Sequence, residues 1–361
     1  MGIILIAVGL FAGFGTAYLA SDDVRYLTRA GLEETRILRN ARPLDALIAE
    51  ETVPESRRDL LRLVRDVRHH ADTIGLTAGD TYTTFSDVGR DTLLLVLSAA
   101  PRDCICPVTW KYPIVGRVPY KGFFDPRMAE RERDRLAARG HDTSLRPSAA
   151  FSTLGWFKDP LLSTALLPDS VELAALVFHE MAHNSLFVKS ATAFNESFAQ
   201  MVGYRAAEHF FATRGDSSLA ARARARWQDE IVLGEYYDSL VGRLTRFYDT
   251  KPDSATLDSG RVAIGRWARD LLRDSLASRL SFSIGRLADR PINNATLIGV
   301  QLYRTHLDWF DRFHQRHDRN LAVTVDALRA LVGDTSGDDA FRHLEEALGP
   351  PPSPPPDSGP S

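Results

Sequence analysis

The chain has 361 residues, 44% of them hydrophobic and 25% charged, which suits a protein that buries a core and excludes a disordered or fibrous chain. A formal net charge of −3 leaves no basic footprint, so no nucleic-acid partner is expected. The two cysteines, Cys104 and Cys106, are too few for a four-cysteine metal site. At C-x-C spacing they read as two ordinary thiols in a loop.

Residues Ile3 to Leu19 are almost wholly apolar and carry no charge. The run is at the short end of the roughly 20 residues that cross a bilayer. No Lys or Arg precedes it, as a signal peptide would want, although Gly15-Thr16-Ala17 has the small residues of a cleavage site. No cysteine follows for lipid attachment. Residues 1–20 therefore read as a signal-like segment or, first, as an uncleaved anchor, with a membrane as partner. Arg25, Arg29, Arg36 and Arg39 would keep the following domain on the cytoplasmic side.

Residues 21–71 have a helical pattern. Leu27, Leu32, Ile37 and Leu38 form a first stripe, and Arg42-Pro43 interrupts it. From Pro54, a second stripe comprises Leu60, Leu61, Leu63, Val64 and Val67. His69-His70 at its end reads as a solvated helix terminus favoured by the dipole. Residues 72–160 carry the strands. Gly75 to Gly89 is turn-rich, and Leu93 to Leu97 is a short buried strand. Cys106 to Asp125 reads as short strands cut by Pro113, Gly116, Pro119 and Gly122. Pro126 to Arg139 is a charged helix. Phe151 to Phe157 is a further strand, and Ser152, Thr153, Leu154, Gly155 and Trp156 are candidates for pairing with an extended peptide.

Residues 168–210 carry the chemistry. Asp169 or Ser170 can cap a helix after Pro168, and Glu172 stands where a capping box would place it. Leu173, Leu176, Val177 and Leu186 mark its buried side. His179 and His183 are i and i+4, so both imidazoles lie on one face and can reach one ion. Glu180 projects about 100° around the helix, beside that ion and not on it. There it can serve as general base toward a metal-activated water. Ser190 or Thr192 can cap a second helix from Ala193, with Phe194, Phe198, Met201 and Val202 as its core face. If the loop from Asn184 to Ala191 folds this helix back, Glu196 supplies a third ligand to Zn2+. Asn195 and Asn184 are candidates to support the ligands, or are cap and loop residues. Glu172 is the one acidic residue near that face for a substrate amine, and its cap position explains it equally well.

Residues 211–345 are helical in pattern. Ala220 to Arg226 reads as a solvated face, and Thr296 to Phe313 as one helix with Leu297, Val300, Leu307 and Phe310 along it. Asp311, His314 and His317 read as a surface cluster. Residues 346–361 form a Pro-rich tail expected to be disordered.

Several stretches resemble a bacterial family of putative aminopeptidases, predicted zinc peptidases of the gluzincin kind. They are Phe151 to Thr164 (FSTLGWFKDPLLST), the HEMAH motif with Phe194 to Ala199 (FNESFA), Trp110 to Asp125, and Pro291 to Ala295 onward. Together they span about Arg25 to Leu331. The resemblance implies His179, His183 and Glu196 as ligands and Glu180 as base. It also implies export, against the charge rule above. In gluzincins a tyrosine commonly donates to the oxyanion. Tyr303, which follows Asn293-Asn294, is the first candidate, and Tyr120 the second.

The expected fold is α+β and mainly helical: a zincin-like active-site helix, a small sheet between Leu93 and Phe157, and a helical C-terminal part, in one domain over residues 21–345. The expected function is a zinc-dependent peptidase, first an aminopeptidase acting on peptides. The alternatives are an endopeptidase with the same site, or an inert anchored domain that binds peptide or protein.

Overall fold

The computed structural model describes residues 13, 15–112, 116–148, 160–337 and 339–349. Helix accounts for 65% and strand for 9%, so the chain is a mainly helical α+β protein. Ser152 to Trp156, residues 1–12 and the tail from residue 350 lie outside the described residues. Among the described residues no helix is long and apolar enough to cross a membrane.

The chain opens with helices α1 (Asp22–Asn40), α2 (Leu44–Ala49) and α3 (Glu55–Ala71). The expected stripe on α1 is corrected: Ile37 is buried, but Leu27 and Leu32 are 56% and 62% exposed. On α3 the stripe holds, with Leu61, Val64 and Val67 fully buried. His70 is not simply solvated. It hydrogen-bonds His209 at 3.0 Å and packs edge-on against Phe178 and Phe210.

Three small sheets follow, where one was expected. Strands β1 (Arg42–Pro43), β2 (Thr84–Ser86) and β8 (Leu161–Leu162) form one, in the order β1-β2-β8. Strands β4 (Trp110–Tyr112) and β5 (Gly116–Val118) form another. The third lies against the site. Its centre is β3 (Leu94–Pro101), flanked by β6 (Lys121–Phe123) and β7 (His141–Ser148), all antiparallel. Helix α4 (Pro126–Ala137), capped by Asp125, packs its Ala129 and Leu136 on one face of this sheet with Leu97 and Ala99. Residues alternate between faces along a strand. Leu94 and Val96 therefore point to the other face, where Tyr120 packs with them.

Helices α5 (Ser170–Ser185) and α6 (Thr192–Thr213) run through the largest core cluster. Both are apolar on almost every side, which is what a helix enclosed by others requires. The rest is helical: α7 (Ser217–Asp249), α8 (Ser254–Leu271), α9 (Gly285–Ala288), α10 (Asn294–Gln301), α11 (Leu307–Arg316), α12 (Leu321–Val332) and α13 (Asp339–Leu348). The last helix runs past the expected domain end at 345.

Three further expectations are corrected here. Cys104 and Cys106 form a disulfide, with Cα atoms 5.2 Å apart. The Asn294 amide donates to the carbonyls of Pro101 and Cys104, which holds this loop in a bend. Asp311 and His314 are buried, not a surface cluster. Asp311 accepts from Arg205, Trp227 and Gln315, and His314 Nδ1 lies 2.8 Å from the Thr324 hydroxyl. Lastly, Thr296 to Phe313 is two helices. His306 takes a left-handed φ of 52° between them, and neither Gly nor Pro announces the break.

Candidate metal centre

The Asp169 carboxylate starts α5 by accepting from the N–H groups of Val171 and Glu172, at 2.9 and 3.1 Å. Glu172 does not turn back to complete a capping box. Its carboxylate accepts from Tyr204 Oη at 3.0 Å and Arg226 Nε at 2.7 Å, so it is taken up by a tyrosine and an arginine. The C-terminal end of α5 is tied down by its polar residues. Asn184 donates to the Ala78 carbonyl and the Thr81 hydroxyl, and Ser185 Oγ accepts from Thr77 N at 2.9 Å. Asn184 thus holds a loop and touches no ligand.

Loop 186–191 reverses the chain. Neither Ser190 nor Thr192 caps α6. Its first helical residue follows Ala191, which makes no side-chain cap bond. Asn195 does this work from inside the helix: its Oδ1 accepts from Val188 N at 2.8 Å, and its Nδ2 donates to Val188 O at 2.7 Å. The buried amide satisfies both backbone groups of one loop residue and fixes the return angle. Farther along, α5 and α6 nearly touch. A Cβ on Gly203 would lie 2.6 Å from the Ala175 carbonyl oxygen and 3.4 Å from His179 Cβ. Only glycine permits so close an approach.

The outcome is that Glu196 meets both histidines. Its Oε2 is 3.3 Å from His179 Nε2 and 3.8 Å from His183 Nε2. The three donor atoms lie within 4.8 Å of one another, and this is the one group of three or more such residues among those described that could hold a metal ion. The Gln200 side chain hydrogen-bonds His179. Gln200 follows Glu196 by one helical turn, a spacing that is legible in the sequence.

The charges of the three are coupled. Burial penalises the His179 imidazolium. The hydrogen bond and charge of Glu196, the Glu180 charge and Gln200 outweigh it, so the His179 pKa is raised. Burial pushes His183 down to about 4, aided by the His179 charge and opposed by Glu196. Burial also works against ionised Glu196, but the bond from His179 and the charges of His183, His179 and Arg146 hold its pKa below the ordinary value. Two imidazoles and a carboxylate held below its ordinary pKa are a donor set that a cation can occupy by displacing protons.

Both candidate tyrosines come to this place. The Tyr303 ring centroid is 6.3 Å from that of His179. Its position follows from the asparagines before it. Asn293 caps α10 and donates to Thr143 O, while the Asn294 backbone donates to Asp142 Oδ2. Ser197 Oγ then accepts from Thr305 N at 3.1 Å and secures the turn after α10. Consecutive residues of α6 therefore have three tasks: Asn195 clasps the loop, Glu196 faces the histidines, and Ser197 holds the Tyr303 turn. Burial raises the pKa of Tyr303, and the Glu196 charge adds to it. The same two causes act on Tyr120. Glu180 acts electrostatically on His179 and Tyr303, which puts its charge at the same place.

Arg146 was not foreseen. It lies on β7 opposite Val96, which on its other side is opposite Gly122, so all three share the sheet face that carries Tyr120. Its guanidinium carbon is 6.0 Å from the centre of the Tyr303 ring. Nothing in His141 to Ser148 alternates in the way that announces a strand, so no local signal pointed to it.

Comparison with curated proteins and with solved structures gave no match. The family described as "Putative aminopeptidase" matches residues 25–340, which includes every element of this site. On that match, the chain belongs to the putative aminopeptidase family.

Proposed function

We propose that the protein is a zinc-dependent peptidase of the gluzincin kind, an aminopeptidase first, with His179, His183 and Glu196 as the zinc ligands. The observation that carries this reading is the meeting of those three side chains on two buried helices. Tetrahedral zinc with ligands at about 2.0–2.1 Å requires donor atoms about 3.3–3.5 Å apart. The 3.3 Å separation here matches that geometry, and the 3.8 Å separation is about 0.3 Å beyond it, a gap that a small side-chain rotation closes. Two imidazoles and one carboxylate leave a fourth position open for chemistry.

A zinc ion held there would supply a Lewis acid for a peptide carbonyl and would lower the pKa of a water. The protein's own groups do the rest. Glu180 takes one proton from the water as its oxygen bonds to the carbonyl carbon. It gives that proton to the leaving nitrogen as the C–N bond breaks. Tyr303 and Tyr120, with raised pKa values, keep their protons at neutral pH and act as donors toward the developing oxyanion. Ser152 to Trp156, which follow β7 in the chain, are proposed to meet the extended substrate.

Metal analysis of the purified protein should find one zinc per chain, and a folded protein that binds none refutes the proposal. Glu180→Gln should keep the metal and lower hydrolysis by about 10²–10⁴-fold. Peptides with free and blocked amino termini separate an aminopeptidase, which cleaves only the former, from an endopeptidase. The apolar run before α1 is proposed to attach the enzyme to a membrane with this domain outside the cytoplasm. A chain starting at residue 21 should then leave the membrane fraction.

A further inference from the structure

We propose that Arg146 determines specificity in this peptidase by receiving a carboxylate of the substrate, close to the scissile bond. The inference rests on the peptidase reading above and adds the substrate class to it.

The first support is an unmatched cation. Arg146 Nε is buried with no hydrogen-bond acceptor. Six other arginines among the described residues have a buried nitrogen in that state: Arg58, Arg90, Arg205, Arg261, Arg304 and Arg312. Each of those pairs with a carboxylate: Arg58, Arg90, Arg205, Arg261 and Arg304 through another nitrogen, and Arg312 through Nε itself, 4.0 Å from Asp308. Arg146 forms no such ion pair with any described residue. Glu196 feels its charge, but the Glu196 oxygen is directed at the two histidines. Once a metal ion claims Glu196, no carboxylate among the described residues is within ion-pair distance of the guanidinium. A half-buried guanidinium without a counter-charge is costly, and a substrate carboxylate can match its planar fork with two parallel hydrogen bonds.

The second support is that the sequence's candidate for a substrate amine is already taken. Glu172, the sequence's candidate for that task, is occupied by Arg226 and Tyr204. An ammonium group next to Arg146 would be repelled. The Arg146 charge beside the Tyr303 ring therefore selects an anion at this one position, and the substrate amine of an aminopeptidase lies away from it. The carboxylate comes either from the C-terminus of a short peptide or from an Asp or Glu side chain.

The test uses the zinc-loaded full chain with Glu180→Gln, which should bind peptide without turnover, with and without Arg146→Met. Calorimetry compares four forms of one short peptide: free C-terminus, C-terminal amide, internal Glu, and internal Gln. Arg146→Met should weaken the carboxylate-bearing form by about 10- to 100-fold and leave its neutral counterpart unchanged. The affected pair, acid against amide or Glu against Gln, identifies the source. Arg146→Lys should restore part of the loss, since charge without the fork remains. Equal affinity for charged and neutral peptides in the parent overturns the inference. So does equal weakening of both by Arg146→Met. Because binding is read directly, the result stands apart from hydrolysis: failure to cleave any peptide by the unsubstituted protein would refute the peptidase reading alone.

Discussion

Replacing Gly203 by alanine should damage the metal centre from two helical turns away. The added Cβ would sit 2.6 Å from the Ala175 carbonyl oxygen. To reach the 3.4 Å of ordinary contact, α5 and α6 must part by about 0.8 Å. Neither backbone can yield locally, because the contacted atom is a helix carbonyl. A further contact is His179 Cβ at 3.4 Å, so the separation bears directly on a ligand. The 3.3 Å between His179 Nε2 and Glu196 Oε2 would then widen beyond the span of a tetrahedral zinc site. Overpacking of this kind costs about 1–3 kcal/mol. For a chain of this size each kcal/mol lowers Tm by roughly 1–2 °C. Zinc affinity should fall about 10- to 100-fold, as it does when a group supporting a metal ligand is lost. Thermal unfolding of the metal-free variant measures the first effect, and competition with a fluorescent chelator measures the second. A variant with unchanged Tm and unchanged zinc affinity would refute the claim that the helix contact at Gly203 sets the ligand spacing.

Ser197→Ala should keep zinc but slow hydrolysis, because the turn carrying Tyr303 loses its bond from Thr305 N. A fall in kcat of about 10-fold, at unchanged metal content, is expected for a displaced oxyanion donor. Unaltered kcat would remove Tyr303 from the mechanism. Acid should destabilise the fold through His314. Burial and the Arg205 charge lower its pKa from 6.5 to about 4, so between those values the unfolded chain takes up a proton that the folded chain refuses. This stability is complete above pH 6.5 and is lost as pH falls toward 4, by an amount on the order of 3 kcal/mol. Differential scanning calorimetry across that window should show Tm falling, and His314→Gln should flatten the slope. An equal slope in the variant would place the acid sensitivity elsewhere.

The sequence by itself determined what depends on local periodicity. His179 and His183 share a helix face because one turn separates them, and Glu180 is beside them for the same reason. The apolar surroundings of α5 and α6 were equally legible, since 3.6-residue spacing records which side is buried. The Glu196 assignment was conditional on a reversal that residue spacing cannot specify. The reversal depends on the Asn195 amide reaching Val188, and an asparagine there reads equally well as a cap. Only tertiary structure decided the rest of the site. Tyr303 reaches His179 because the chain breaks at His306, within an apolar pattern that looks continuous. Arg146 arrives through the pairing of β7 with β3, fifty residues earlier in the chain, and strand register over such distances leaves no local mark. Glu172, in contrast, read equally as a capping-box residue or as a carboxylate for a substrate amine, and the fold gave it to Arg226 and Tyr204. Charge pairing across helices depends on which faces meet, and that is a property of packing and not of spacing along one element.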